Sequence, residues 1–179
     1  MNTIAEFEES VKHDLHNYLH SMQKADKMLP DAQDIESEWE DIAKSYLPDG
    51  IREFANYPTV SLGWMMYVGM AVACMWDSDW EACTEQEDIY ISLRDERGYD
   101  AMDEYIREEV LQLSGEEYQS VEKLVGECAA RTYSRLCHSP FESGTKDAFH
   151  AYTAALHQLY LMGAAVQLKA MGYNMVKVS

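Results

Sequence analysis

Leu62-Gly63-Trp64-Met65-Met66-Tyr67-Val68-Gly69-Met70-Ala71-Val72-Ala73-Cys74-Met75-Trp76 is the stretch that decides the fold. It carries no charge and no clear polar face, and it gives way at once to Asp77-Ser78-Asp79-Trp80. A helix that is apolar all round is buried on all sides. The run of 15 residues falls short of the roughly 20 that a helix needs to cross a bilayer. The expectation is a central post, a helix over 59–76, in an all-α bundle of six or seven helices forming a single domain over 1–179.

The post needs a close neighbour, and the C-terminal third supplies one. The segment 145–171 is nearly uncharged and rich in small residues: Ala148, Ala151, Ala154, Ala155, Gly163, Ala164 and Ala165. The post carries Gly63, Gly69, Ala71 and Ala73. Small side chains let helix axes approach closely, so these two helices are predicted to pack on each other, the second ending at Gly172.

Helical spacing and capping signals organise the remainder. Thr3-x-x-Glu6 has the form of a capping box, and Ile4, Phe7, Val11, Leu15, Tyr18 and Met22 follow at helical spacing, which predicts a helix to about Met28. Asp31 is positioned to cap a second helix with Ile35, Trp39, Ile42, Ala43 and Tyr46 on its buried stripe, and Pro48-Asp49-Gly50 reads as the turn that ends it. Ser78-x-x-Glu81 predicts a helix start near Asp79, because Asp77 and Asp79 suit an N-terminus better than a C-terminus. Gly98 reads as a stop with Asp100 as the next cap, and Ser114-x-x-Glu117 opens another helix.

The charge is strongly negative and uneven. Net charge is −18, and residues 77–109 hold 13 acids against Arg94, Arg97 and Arg107. Such a surface argues against direct binding of nucleic acid or an anionic membrane and fits a basic protein partner. The four cysteines form no C-x-x-C pair and lie among apolar neighbours, as reduced core thiols do. The N-terminal residues show no basic or apolar leader, which makes the cytoplasm the expected location.

Two constellations suit a metal. His13, His16 and His20 fall within about 60° of one another on a helix, a spacing that suits a transition metal, completed within the chain or by a second copy in a homo-oligomer. The apolar stripe points the other way, so these imidazoles are expected to face solvent. Glu85, Asp88, Asp100, Asp103 and Glu104 flank the turn at Gly98 and suit magnesium on an antiparallel hairpin. This pattern resembles the paired E-x-x-E and E-x-x-D elements of the all-helical nucleotide pyrophosphohydrolases, which implies a metal-dependent hydrolase. It departs from them in having Asp100-x-x-Asp103 as the second pair and no basic residue suited to grip phosphate.

His150 and His157 are predicted to lie on a largely buried face as hydrogen-bonded core residues. Trp64, Trp76, Trp80 and the Met-rich stretch read as core, and Trp39 as an exposed anchor at an interface. The chain has no P-loop, no G-x-G-x-x-G and no G-x-S-x-G. No cofactor is implied. The expected function is a non-catalytic acidic interaction module, in its sharpest form an inhibitor or regulator that offers Glu85, Asp88, Asp100, Asp103, Glu104, Glu108 and Trp39 to a basic protein.

Overall fold

The computed structural model describes residues 3–85 and 88–173, without the side chains of 79, 80 and 82–85. The described residues are about 80% helical and contain no strand. The elements are α1 (Ile4–Ser21), α2 (Gln33–Ser37), α3 (Trp39–Asn56), α4 (Pro58–Glu85), α5 (Ile89–Asp95), α6 (Met102–Tyr105), α7 (Gly115–Cys137) and α8 (Lys146–Ala170). A 3₁₀ turn at Tyr99–Ala101 precedes α6, and a π turn at Ile106–Val110 follows it.

The predicted post is α4, and its principal mate is α8. Leu62, Met65, Met66, Val68, Met70, Ala71, Val72 and Ala73 are buried. The contact with α8 is backbone against backbone. A Cβ on Gly69 would stand 2.0 Å from the Tyr160 carbonyl oxygen, and one on Gly163 would stand 2.1 Å from that of Met66. The two glycines therefore set the interaxial distance, each receiving the other helix's carbonyl ridge. On the other flank α7 approaches Gly63, where a Cβ would meet Val125 at 3.2 Å. Helix α1 lays Phe7, Val11, Leu15 and Leu19 into the core against α8 and α7, and α3 packs chiefly on α4.

The span Pro58–Ser78 has 21 residues and a mean hydropathy of 1.4, enough by length and composition to cross a membrane. This corrects the expectation from the shorter run. Within this fold 67% of that window is buried against other helices.

Four boundaries differ from expectation, two for local and two for tertiary reasons. Helix α1 ends at Ser21, short of Met28, because Gln23 takes a left-handed conformation at φ 61°. The Asp31 segment does not make one helix: α2 and α3 meet at Glu38, and Asp31 accepts a hydrogen bond from the Gln33 side chain at 2.6 Å. Pro48-Asp49-Gly50 is not a turn but lies inside α3. Pro48 cannot donate to the carbonyl one turn back. The segment stays helical because Asp49 and Gly50 are buried there, Gly50 so tightly that a Cβ would meet the Tyr46 ring at 2.6 Å. Finally, α4 does not break near Asp79. It runs to Glu85, Ser78 Oγ bonds back to the Met75 carbonyl at 3.5 Å, and Asp77 accepts from the Tyr173 hydroxyl at 2.5 Å. The aspartates thus lie inside a longer helix, away from the end where the dipole would oppose them.

Other signals match their structures. Thr3 and Thr145 cap α1 and α8 by accepting from Glu6 N and Ala148 N at 3.0 and 3.2 Å. Gly98 and Gly172 have φ of 88° and 96°, the left-handed conformation that stops a helix. Ser114 is the N-cap residue of α7, but its side chain makes no cap bond, and Asp100 lies within the 3₁₀ turn and does not cap it. Cys128 is buried and its thiol is pushed up to about 12 by burial, Cys74 is half-buried, and Cys137 is exposed, contrary to a core position. Cys83 lies outside the described side chains.

Gly69→Ala and Gly163→Ala should each lower stability by about 2–4 kcal/mol, since backbone must move to admit the methyl group. Gly126→Ala meets nothing within 4 Å and should be neutral or stabilising by up to about 1 kcal/mol through helix propensity. Urea unfolding midpoints of the three variants check this ordering.

Candidate functional site

The acidic segment after α4 is tied to the rest of the fold by Arg94 and Arg107. Arg94 reaches Asp49 Oδ2 at 3.0 Å, where Tyr90 also donates at 2.6 Å and Arg52 binds Oδ1 at 2.9 Å. Burial pushes the Asp49 carboxyl up, but Tyr90 and Arg94 outweigh it and hold it below its ordinary value. Arg97 bridges Glu108 at 2.6 Å and Glu109 at 3.2 Å. Arg107 is only 2% exposed. It donates to the Tyr67 hydroxyl at 2.6 Å, Asp103 at 2.9 Å and the Tyr118 hydroxyl at 3.2 Å, pairs with Glu122 at 3.2 Å, and stacks over the Tyr118 ring at 4.3 Å. Burial raises the Asp103 carboxyl above its ordinary value against the pull of Arg107.

This geometry distributes the expected acidic residues between two roles. Asp88 caps α5 through Ile91 N at 3.0 Å and accepts from Ser45, and Asp103 is committed to Arg107. Both are structural. Asp100 and Glu104 are exposed, and Glu108 is exposed while paired with Arg97. The Glu85 side chain lies outside the described residues. Among the described residues no group of three or more His, Cys, Asp or Glu is placed to hold a metal ion.

On α1, His13 and His20 are exposed, as expected, and His16 is half-buried. His16 donates to the Asp26 carbonyl at 2.8 Å and His20 to the Ala25 carbonyl at 3.1 Å, while His13 pairs with Asn17 at 3.0 Å. Two of the three imidazoles thus fasten the loop that follows α1, which Lys169 also grips through Asp26 at 2.8 Å. His150 is exposed, not buried as predicted, and His138 bonds the Ser134 carbonyl at the end of α7.

Trp39 is not an exposed anchor. It is 8% exposed, stacked on the His157 ring at 4.9 Å and 12° and packed against Tyr160. His157 lies between two carboxylates, Nδ1 at 3.2 Å from Glu8 and Nε2 at 2.8 Å from Glu36. Both ring nitrogens face acceptors, an arrangement that only the protonated imidazolium satisfies. Burial pulls the imidazole down, but Glu8 and Glu36 outweigh it and hold His157 above its ordinary value. The His157 hydrogen bond correspondingly lowers Glu8. This clamp joins α1, α2 and α8. No local spacing announces it, since Glu8, Glu36 and His157 are far apart in the chain; the weak signal was a charged-capable residue on an otherwise apolar helix. The same holds for Arg107, one of three bases in an acidic segment.

No protein-family model, curated protein or solved structure matches the chain.

The clamp has a defined pH signature. His157 has a raised folded value, so its stabilisation is fully present below its unfolded pKa of about 6.5 and is lost as pH rises through the folded value. Glu8 has a lowered folded value, so its share is present above its unfolded pKa and is lost as pH falls through the folded value. The stability gap between wild type and His157→Gln should therefore narrow as pH is raised from 6 towards 9, followed by urea unfolding at each pH; a constant gap would contradict the clamp. Arg107→Met should cost about 3–5 kcal/mol by leaving Asp103 buried without its partner. Arg107→Lys should recover only part of this in the same assay, because a point charge cannot serve four partners held by a fork.

Proposed function

We propose that this protein is a non-catalytic interaction module that presents carboxylates to the basic surface of another protein, acting on it as a regulator or inhibitor. The observation that supports this reading is the segregation of charge in the segment from α5 to the π turn. Each of its three bases is paired: Arg94 with Asp49, Arg107 in the core with Asp103, and Arg97 at the surface with Glu108 and Glu109. Glu96, Asp100 and Glu104 remain exposed at the surface. The segment's excess of carboxylates over bases therefore stays at the surface, since Arg107 is buried and Arg94 half-buried.

A carboxylate row of this kind offers charge-assisted acceptors to Arg and Lys, as phosphates do, so a basic protein that binds nucleic acid is a fitting target. Charged patches act over about a Debye length, near 8–10 Å at physiological salt, and chiefly steer encounter.

The test is a comparison of two triple variants with the same change in net charge. Glu96→Gln with Asp100→Asn and Glu104→Gln removes the proposed face. Glu116→Gln with Glu117→Gln and Glu142→Gln removes three exposed carboxylates elsewhere. Titrated with an arginine-rich peptide at several salt concentrations, the first triple should weaken binding roughly fivefold to tenfold and reduce its salt dependence, and the second much less. Equal loss from both triples would reduce the acidity to a general solubilising charge, and binding indifferent to salt would rule out the electrostatic mechanism.

A further inference from the structure

Residues 22–37, the loop after α1 together with α2, form a strap tied to α8. Both ends of the strap are breaks in the helical path. Gln23 takes the left-handed conformation at φ 61°, and α2 gives way to α3 at Glu38. Apolar attachment is slight, since Ala25 and Ile35 alone among these residues are buried. Beneath the strap lies a hollow of about 300 Å³, with Leu29, Pro30 and Ile35 on one side and Leu161 and Ala165 of α8 on the other. Polar bonds therefore carry much of the attachment.

Those bonds differ in their response to pH. His16 and His20 each give one N–H, to the Asp26 carbonyl at 2.8 Å and the Ala25 carbonyl at 3.1 Å. An imidazole supplies one N–H in either protonation state, so these two bonds survive titration. Tyr160 holds the Ile35 carbonyl at 2.7 Å and Lys169 holds Asp26 at 2.8 Å, and neither depends on an imidazole. His157 is different. It offers an N–H to Glu8 and to Glu36 at once, which takes the imidazolium. The neutral ring keeps one N–H and turns a bare lone pair on the second carboxylate. Glu8 is the more buried of the two, 29% exposed against 42%, and the costlier to leave unpaired. It is also fixed in place, because Phe7 and Val11 hold α1 in the core, whereas Glu36 rides on the strap. The remaining proton therefore stays on Nδ1, and Nε2 repels Glu36. The charged groups acting on the ring are these two carboxylates, with Lys12 acting on Glu8. Trp39 of α3 covers the face of the ring, and Gln158 donates to Glu8 beside it.

From this arrangement we infer that residues 22–37 are a pH-operated strap: protonated His157 latches α2 to α8, and neutral His157 lets the strap lift about Gln23 and Glu38 while the rest of the bundle stays folded, uncovering the apolar α8 surface at Leu161 and Ala165. Burial pulls the imidazole down and the two carboxylates outweigh it. The latch is therefore closed below the ordinary histidine value of about 6.5 and releases as pH rises through the higher folded value. The acidic face between α5 and the π turn takes no part.

Hydrogen exchange of the full chain between pH 6 and 9, read peptide by peptide and normalised to intrinsic exchange rates, tests this. Protection over residues 29–38 should fall on the order of tenfold across that range, since one proton is coupled to opening. The midpoint should coincide with the His157 titration followed by its ring protons in NMR, and α4 and α8 should keep their protection. His157→Gln should show low protection at 29–38 at every pH with α4 and α8 still protected. Strap protection that stays constant from pH 6 to 9, that falls only together with α4 and α8, or that falls at a midpoint unlike that of His157 would each overturn the inference. So would wild-type protection of the strap in His157→Gln. Should His157→Gln fail to fold, the wild-type exchange and titration decide the matter alone.

Discussion

The contact between Gly69 on α4 and Gly163 on α8 is the constraint on which the structure depends. Each glycine accepts the backbone of the opposite helix where a methyl group would overlap it, at 2.0 Å from Tyr160 O and 2.1 Å from Met66 O. Packing this close maximises dispersion between two nearly uncharged helices and leaves no room for slippage. Everything else is arranged around that pair: α1 and α7 on its flanks, α3 and the short helices on the remaining face.

A core built so closely leaves polar groups to be satisfied, and tyrosine does most of that work. Tyr46 donates to the Ser61 carbonyl at 2.5 Å, Tyr160 to the Ile35 carbonyl at 2.7 Å, Tyr90 to Asp49 and Tyr152 meets Ser61 at 2.5 Å. Each ring fills apolar volume while its hydroxyl ties two helices together: Tyr46 α3 to α4, Tyr152 α8 to α4, Tyr160 α8 to α2 and Tyr90 α5 to α3. Ser61 in turn donates to the Gly50 carbonyl at 2.7 Å, joining α4 to the part of α3 that Pro48 loosens. The helices are therefore registered by directional bonds as well as by shape, which is how a bundle rich in interchangeable apolar residues holds one arrangement.

The same economy governs charge. A chain with net charge −18 has few bases, and the best buried of them, Arg107, serves four partners at once. His157 acts as a further cation between Glu8 and Glu36. Using positive groups internally stabilises the fold and leaves the surface more negative than composition alone implies. Core construction and surface character are thus two consequences of one allocation.

The class of fold was legible in the residues themselves. An apolar helix without a polar face must be enclosed, a small-residue helix must be approached closely, and Thr3, Thr145, Gly98 and Gly172 mark ends through bonds and dihedrals confined to one turn. These signals are short in range, so a single chain segment contains them. The continuity of α3 through Pro48-Asp49-Gly50, the continuity of α4 past Asp77, the burial of Trp39, and the pairing of Gln158 with Glu8 across 150 positions were decided only by the tertiary structure. In each case a local preference was outweighed by contacts from residues far away in the chain. The candidate sites belong to this second class, because a carboxylate's role as cap, clamp or free surface charge depends on which cation the folded helices bring to it.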